Sequence, residues 1–257
     1  MSALPHLSDL AAAPLDSLRA DVWRAASLAP ACAETVPTGE ALLDAQLPGG
    51  GWPRGALTEL LQDPGVHAEW RLLLPALAQC GTGPVALVAA PHRPFAPALQ
   101  AQGLDAQRLL WLCAANASAA DALWASEQAL RCAAIDAVLA WLPQARPEQL
   151  RRLHSAAAEH HKLLFVVRDA RAQAQASPAV LRLHIGPDAD AALRVHIVKR
   201  RGPALQTPLR LAARPAVLLR LLAAHAPLQA LSPVPASPPV MQHHTGPAAP
   251  PVRRFAA

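Results

Sequence analysis

No tyrosine occurs in the chain and only three phenylalanines do, so little material exists for a surface of interleaved aromatics that stacks bases. Lysine stands only at positions 162 and 199, so no frame of the sequence contains a Gly-Lys-Ser or Gly-Lys-Thr triplet. The four cysteines, Cys32, Cys80, Cys113 and Cys132, include no Cys-x-x-Cys pair. That spacing argues against a zinc finger or a disulfide scaffold and reads as free thiols of a reducing compartment. Long apolar runs are also lacking. Leu72 to Pro91 carries no charge and could cross a bilayer by length, but Pro75, Gly81, Gly83 and Pro84 break it into a helix, a turn and a buried strand. The first twenty residues include acids and have no basic start followed by an apolar core, so neither a secretory signal nor a membrane partner is expected and the expected location is cytoplasmic.

What is present is apolar bulk: 53% of the 257 residues are hydrophobic and 16% are charged. A chain of this kind can bury a sizeable core, which excludes wholesale disorder and collagen-like structure. Charge is divided unevenly. Residues 1–150 hold 8 basic and 14 acidic side chains, whereas 151–257 hold 15 and 4. Such a basic half suits an acidic partner or nucleic acid, and equally suits a coding bias toward arginine.

Periodicity gives the organisation. Asp16 to Leu28 is expected to be a helix, with Leu18, Val22 and Trp23 on one face, followed by a flexible link. A glycine turn at 49–51 precedes a strand at Ala56 to Leu61. Helices at 68–80, 97–102, 119–132 and 147–160 then alternate with strands at 84–90, 109–113, 135–142 and 163–167. Apolar strands separated by helices predict a mainly parallel sheet with helices on both faces. Val180 to Ile185 and Leu193 to Arg200 alternate more clearly and predict a C-terminal antiparallel hairpin. A last helix fits Pro215 to His225. From Ala226 onward eight of 32 residues are proline, and the expectation is a disordered tail. The domain expectation is therefore an N-terminal helix and linker over 1–36, an α/β core over 37–225 and a tail over 226–257.

The pattern made by Thr38, Gly39, Leu43, Asp44, Gly49 to Gly51, Pro53, Gly55 and Glu59 resembles the segment that leads into the phosphate loop of RecA ATPases. More closely, "PTGEALLDAQLPGGGWPRGALTELL" together with "LRVHIVKRRGP" is similar to the ImuA family, RecA-related accessory proteins of bacterial translesion synthesis that are grouped with SulA-like proteins. The likeness spans roughly residues 16–214. It implies a RecA-like, P-loop NTPase-type core.

A working phosphate loop needs backbone N–H groups, a lysine for the terminal phosphates and a hydroxyl for magnesium. The matching stretch runs from Gln62 and Asp63 through Pro64, Gly65, Val66, His67, Ala68 and Glu69. Ala68 stands in place of the lysine and Glu69 in place of the hydroxyl, and Asp63 and Glu69 add negative charge where phosphates would sit. Trp141 occupies the magnesium-supporting acid's position, Pro91 approximately that of the water-activating acid, and Asp169 approximately that of the phosphate-sensing glutamine. An indole cannot support magnesium and proline has no side-chain proton acceptor. The expectation is a degenerate nucleotide site, with no catalytic residues, no cofactor and no ATP hydrolysis.

DNA-binding loops are correspondingly short. Arg168, Arg171, Lys199, Arg200 and Arg201 remain as possible phosphate contacts, giving at most a weak nucleic-acid contact. His67, His92, His154, His160 and His161 lack the spacing of a metal site and read as surface or helix-end residues. Trp111 and Trp141 fall in strands and are expected in the core. Trp23 and Trp52 are candidate anchors for a protein partner, with core packing as the competing reading. The ending "PPVRRFAA" places Arg253, Arg254 and Phe255 at the close of the Pro-rich stretch, either as a short peptide ligand or as an inert tail.

The resemblance implies a non-enzymatic accessory protein of the DNA-damage (SOS) response. Its expected partners are an ImuB-type polymerase-like protein, an error-prone replicative-type polymerase and RecA. Two other readings stay open at this point. One is an ATP-dependent DNA-binding protein that has rebuilt its site with His67, Arg54 or Arg71, and the other is a SulA-like inhibitor of FtsZ-dependent division.

Overall fold

Strands without a polar face are stable only when both sides are covered, and the fold is organised around that requirement. A computed structural model describes residues 34–112, 117–203 and 205–212 of the chain. The elements are β1 (Thr35–Val36), α1 (Ala41–Asp44), β2 (Trp52–Pro53), β3 (Ala56–Gln62), α2 (Glu69–Gln79), β4 (Val85–Val88) and α3 (Ala96–Gln100). There follow β5 (Leu109–Leu112), α4 (Ala119–Arg131), β6 (Ala137–Trp141), α5 (Pro147–Glu159), β7 (Leu163–Asp169), β8 (Leu181–Pro187), β9 (Leu193–Lys199) and β10 (Leu209–Leu211). The expected helices at Asp16 to Leu28 and Pro215 to His225, and the tail, lie outside the described residues.

Eight strands form one mixed sheet in the order β10-β9-β8-β3-β7-β6-β4-β5. The pairs β8/β3, β3/β7, β7/β6, β6/β4 and β4/β5 are parallel, while β8/β9 and β9/β10 are antiparallel. The expected α/β architecture with a mainly parallel sheet and a C-terminal hairpin is therefore present. On one face, Leu72, Leu73 and Leu77 of α2 and Leu99 of α3 pack over Leu60, Leu87, Leu139, Phe165 and Leu183. On the other, Leu123 and Leu130 of α4 and Leu150 and Leu153 of α5 cover Leu57, Val138, Leu164 and Val166. Each helix thus buries the apolar stripe that its three- and four-residue spacing sets up.

Local chemistry explains the "TGEALLD" and "GGGW" segments. Asp44 Oδ1 accepts the Thr38 N–H at 2.9 Å, and the Thr38 hydroxyl accepts the Glu40 N–H at 3.1 Å. Gly39 has φ +84°, and a Cβ there would collide with Pro75 of α2, so glycine fixes both the turn and the close approach. A Cβ on Gly51 would likewise run into the Val36 carbonyl. Val36 pairs with Trp52 between β1 and β2, so residues 35 and 36, expected in the flexible link, form a small sheet with the core.

A histidine ties α5 to the start of β3. The Leu57 N–H donates to His154 Nδ1 at 3.1 Å, so the ring is neutral with its proton on Nε2. Burial holds its pKa below the ordinary 6.5, and the charges of Lys199 and Arg201 push it the same way. Because the folded state disfavours protonation, the stability the neutral ring contributes is complete above the unfolded pKa and is lost as pH falls through the folded one. Urea titrations of the wild type should weaken on going from neutral to mildly acidic pH. In His154→Gln, whose carbonyl can accept the same bond without titrating, that part of the loss should be missing. Identical pH slopes in the two proteins would remove His154 as a cause.

Candidate functional site

The chain leaves β3, passes over two strands to β4, and later returns through β6 and β7 to lie beside β3. Crevices at the carboxyl ends of strands around such a reversal are where open parallel sheets hold ligands. A cleft of about 470 Å³ opens there. Its walls come from the β3–α2 loop (Gln62, Asp63, Pro64, Val66, His67), the end of β4 (Ala89, Pro91), the start of α4, the segment after β6 (Trp141 to Ala145), and Val167 to Asp169 of β7.

The β3–α2 loop is closed by its own side chains. Gln62, buried at the last position of β3, accepts the Ala68 N–H on Oε1 at 2.9 Å and donates through Nε2 to Glu69 Oε2 at 2.8 Å. Val66 N–H donates to the Asp63 carbonyl at 3.0 Å, and Gly65 supplies the positive φ the turn needs. Glu69 is the first residue of α2 and only 1% exposed, which puts a carboxylate at the end of the helix that favours negative charge. One backbone donor that could meet an incoming phosphate is thereby taken up internally, and the helix start already carries a carboxylate. The exposed edge of the loop carries His67, whose Nε2 lies 3.2 Å from Nε2 of His92, with the rings edge to face at 4.6 Å. Asp63 Oδ1 lies 3.7 Å from His184 Nε2.

Across the cleft, α4 begins with a capping box. The Ser118 hydroxyl accepts the Asp121 N–H at 3.2 Å, while its own O–H and N–H donate to Asp121 Oδ2 at 2.8 and 3.0 Å, holding that carboxyl below its ordinary pKa. Trp141 forms the inner wall. It is 9% exposed, tilts against Trp70 of α2 at 6.4 Å, and has an indole N–H without an acceptor.

Beneath the wall runs a buried charge network that no motif in the sequence announces. Glu59 of β3 is fully buried and lies between two arginines: Oε1 accepts from Arg168 Nη1 at 3.1 Å and Oε2 from Arg182 Nε at 2.5 Å. Arg168 also donates to the Ala145 carbonyl at 2.7 Å and Gln175 Oε1 at 2.8 Å. Arg182 donates to the carbonyls of Ala172, Gln173 and Gln175. The available signal was charge at 59, 168 and 182 inside apolar strands, since buried charges demand partners.

Several expectations are corrected. Arg168 is 3% exposed and committed to Glu59, so it is no surface phosphate contact, whereas Arg171 is exposed. Trp52 is fully buried, edge to face with Phe165 at 5.4 Å, because the small sheet folds the glycine turn inward; it offers no area to a partner. Trp111 is 39% exposed because β5 is the sheet's edge strand, and the Arg93 guanidinium lies 5.7 Å over its ring. Arg54 bonds the Cys80 carbonyl and pairs with Glu34 at the amino end of β3, and Arg71 bonds the Leu211 and Ala212 carbonyls. Arg54 is thus remote from the β3–α2 loop, and Arg71 is committed to the end of β10.

Of the site positions expected from the sequence, Pro64, Val66, His67, Pro91, Trp141 and Asp169 meet around the cleft, and Gly65, Ala68 and Glu69 shape the loop behind it. Lys199, Arg200 and Arg201 do not join them. β9 runs against β8, so its end lies at the sheet's opposite rim. There Lys199 Nζ donates to the Ser177 carbonyl at 3.0 Å, Arg200 is tied to Pro203 and Gln46, and Arg201 is exposed. Trp23, Arg253, Arg254 and Phe255 lie outside the described residues. Among the described residues no group of three His, Cys, Asp or Glu side chains is placed to hold a metal ion, and no helix is long and apolar enough to cross a membrane. No protein-family model matches the chain, and no curated protein matches it significantly.

Proposed function

We propose that the chain is a non-catalytic accessory protein on a RecA-like core, acting by protein contacts in the mutagenic translesion complex with an ImuB-type polymerase-like protein and an error-prone replicative-type polymerase. The observation that carries the reading is the β3–α2 loop. Gln62 occupies the Ala68 N–H and the buried Glu69 carboxylate places negative charge in the first turn of the helix, while lysine and hydroxyl are both missing from the positions that would bind phosphate and metal. The strand order and helical layers fit a RecA-like core, and Asp63 and Asp169 on the cleft walls oppose a polyphosphate.

Two measurements test the proposal. A fluorescent ATP analogue with magnesium should show no saturable binding up to millimolar concentration; micromolar affinity lost in His67→Ala would instead support the rebuilt-site reading. Mixed with a purified ImuB-type protein, the chain should co-elute in size-exclusion chromatography. Separate elution at concentrations well above micromolar would remove the proposed contact.

A further inference from the structure

Two imidazoles from separate segments meet beside the cleft. His67 stands on the β3–α2 loop, whose shape is set by the Gln62 and Val66 bonds, and His92 follows β4. The chain around His92 is constrained as well. Ala89 has φ 53° and donates its N–H to the Leu112 carbonyl at 3.2 Å, while Pro91 and Pro94 restrict the backbone on either side of the histidine. Both rings are exposed, yet their Nε2 atoms lie 3.2 Å apart. Two imidazole nitrogens on one tetrahedral zinc ion, at Zn–N of about 2.0–2.1 Å, stand about 3.3 Å apart. The contact is also bent. A linear N–H···N bond of this length would hold the ring centroids about 5.5 Å apart. They lie at 4.6 Å, so at least one ring axis is turned off the line between the nitrogens, as both are when a shared ion sits to one side. Charge favours a cation here. Asp63 is exposed on the same loop, residues 63–68 include no Lys or Arg, and the Arg93 guanidinium beside His92 is held 5.7 Å over the Trp111 ring.

We infer that His67 and His92 together bind a divalent transition-metal ion of the zinc class through their Nε2 atoms, with water completing its shell. Imidazole nitrogen suits zinc and its neighbours in the first transition row, whereas magnesium and calcium call for oxygen ligands. Two protein ligands are fewer than a closed structural site has, so the ion exchanges readily and keeps coordination positions open. Its structural effect is to join the β3–α2 loop to the segment after β4, two pieces of chain 25 residues apart that no other side-chain bond between these histidines' neighbours links among the described residues. This goes beyond the proposed role in the translesion complex and stands without it, because it rests on two side chains and not on any partner.

The test uses the full-length protein labelled with nitrogen-15 in its histidines, titrated with zinc chloride and, separately, with magnesium chloride. The imidazole resonances of His67 and His92 are assigned from their disappearance in His67→Gln and His92→Gln. Other histidines, His243 and His244 among them, do not interfere, because each curve is read on an assigned ring. Zinc should move the Nε2 resonances of both rings along one common saturable curve, and magnesium should move neither. In His67→Gln the remaining His92 ring should need about tenfold more zinc or more, because a chelate gains from the second ligand's effective concentration. His92→Gln should weaken His67 in the same way. Resonances that stay still under zinc, separate curves for the two rings in the wild type, undiminished zinc affinity in the single variants, or an equal response to magnesium would each overturn the inference. Should a variant fail to fold, the common curve of the wild type still decides. None of these outcomes bears on contact with a polymerase-like protein, which is read separately by co-elution.

Discussion

Glu59→Ala is expected to destabilise the fold by about 3–5 kcal/mol, the range for breaking a buried ion network from one side. The two arginines it leaves behind lie within 5% exposure of the core, and neither can reach water without dragging its strand. Urea unfolding followed by far-UV circular dichroism measures the loss, and a change under about 1 kcal/mol would mean that water reaches the network. The companion variant separates packing from charge. Replacing Glu59 by leucine together with Arg168 and Arg182 by methionine removes every buried charge at similar volume, and it should recover most of the stability, since apolar isosteres of buried ion triads are often neutral or better. Recovery would show that the network serves positioning, because its carbonyl contacts fix the segment after β7 and the turn at Ala145.

Trp52→Ala carries the second large effect, a loss of about 3–5 kcal/mol, as for removal of a fully buried aromatic side chain. The indole sits over Phe165 at the junction of the small sheet and the main one, so its loss leaves a cavity under Val36 and Leu47. Trp52→Phe should cost much less, because it keeps an aromatic ring and removes an indole N–H that has no partner. Thermal denaturation of both variants checks the order. A partner-anchoring residue behaves in the opposite way, with unchanged melting and lost binding, and that result would return Trp52 to the surface.

Much of the architecture was legible because buried parallel strands write themselves as uninterrupted apolar runs. Val85 to Val88 and Leu163 to Val167 fall where such runs predict, and the β8–β9 hairpin follows from its stronger alternation. Elements with little sequence of their own were not legible. β10 is three residues long, and β1 and β2 are two each; they exist through their partners and not through any periodicity. For Trp52 the two readings, core packing and partner anchor, stayed open for the same reason, since a glycine-rich turn suggests exposure until β1 is known to cover it. At the site, the positions 64–69 and Trp141 were found by resemblance to a phosphate-binding pattern. The Gln62 bonds and the pairing of Glu59 with Arg168, 109 residues apart in sequence, depend on side-chain geometry that no local pattern encodes.

The two jaws of the cleft are unequal in what holds them. The lower one, Ala145 with Arg168 and the turn that follows β7, is clamped by guanidinium bonds to several carbonyls and across three strands, and it acts as an anvil. The upper one, residues 63–68, is fastened chiefly by a single glutamine side chain and otherwise faces solvent. Adaptation to whatever enters therefore falls to the upper jaw alone. Substitutions are therefore expected to be tolerated at Pro64, Val66 and His67 and to be damaging at Ala145 and Arg168, which thermal denaturation of the variants would check.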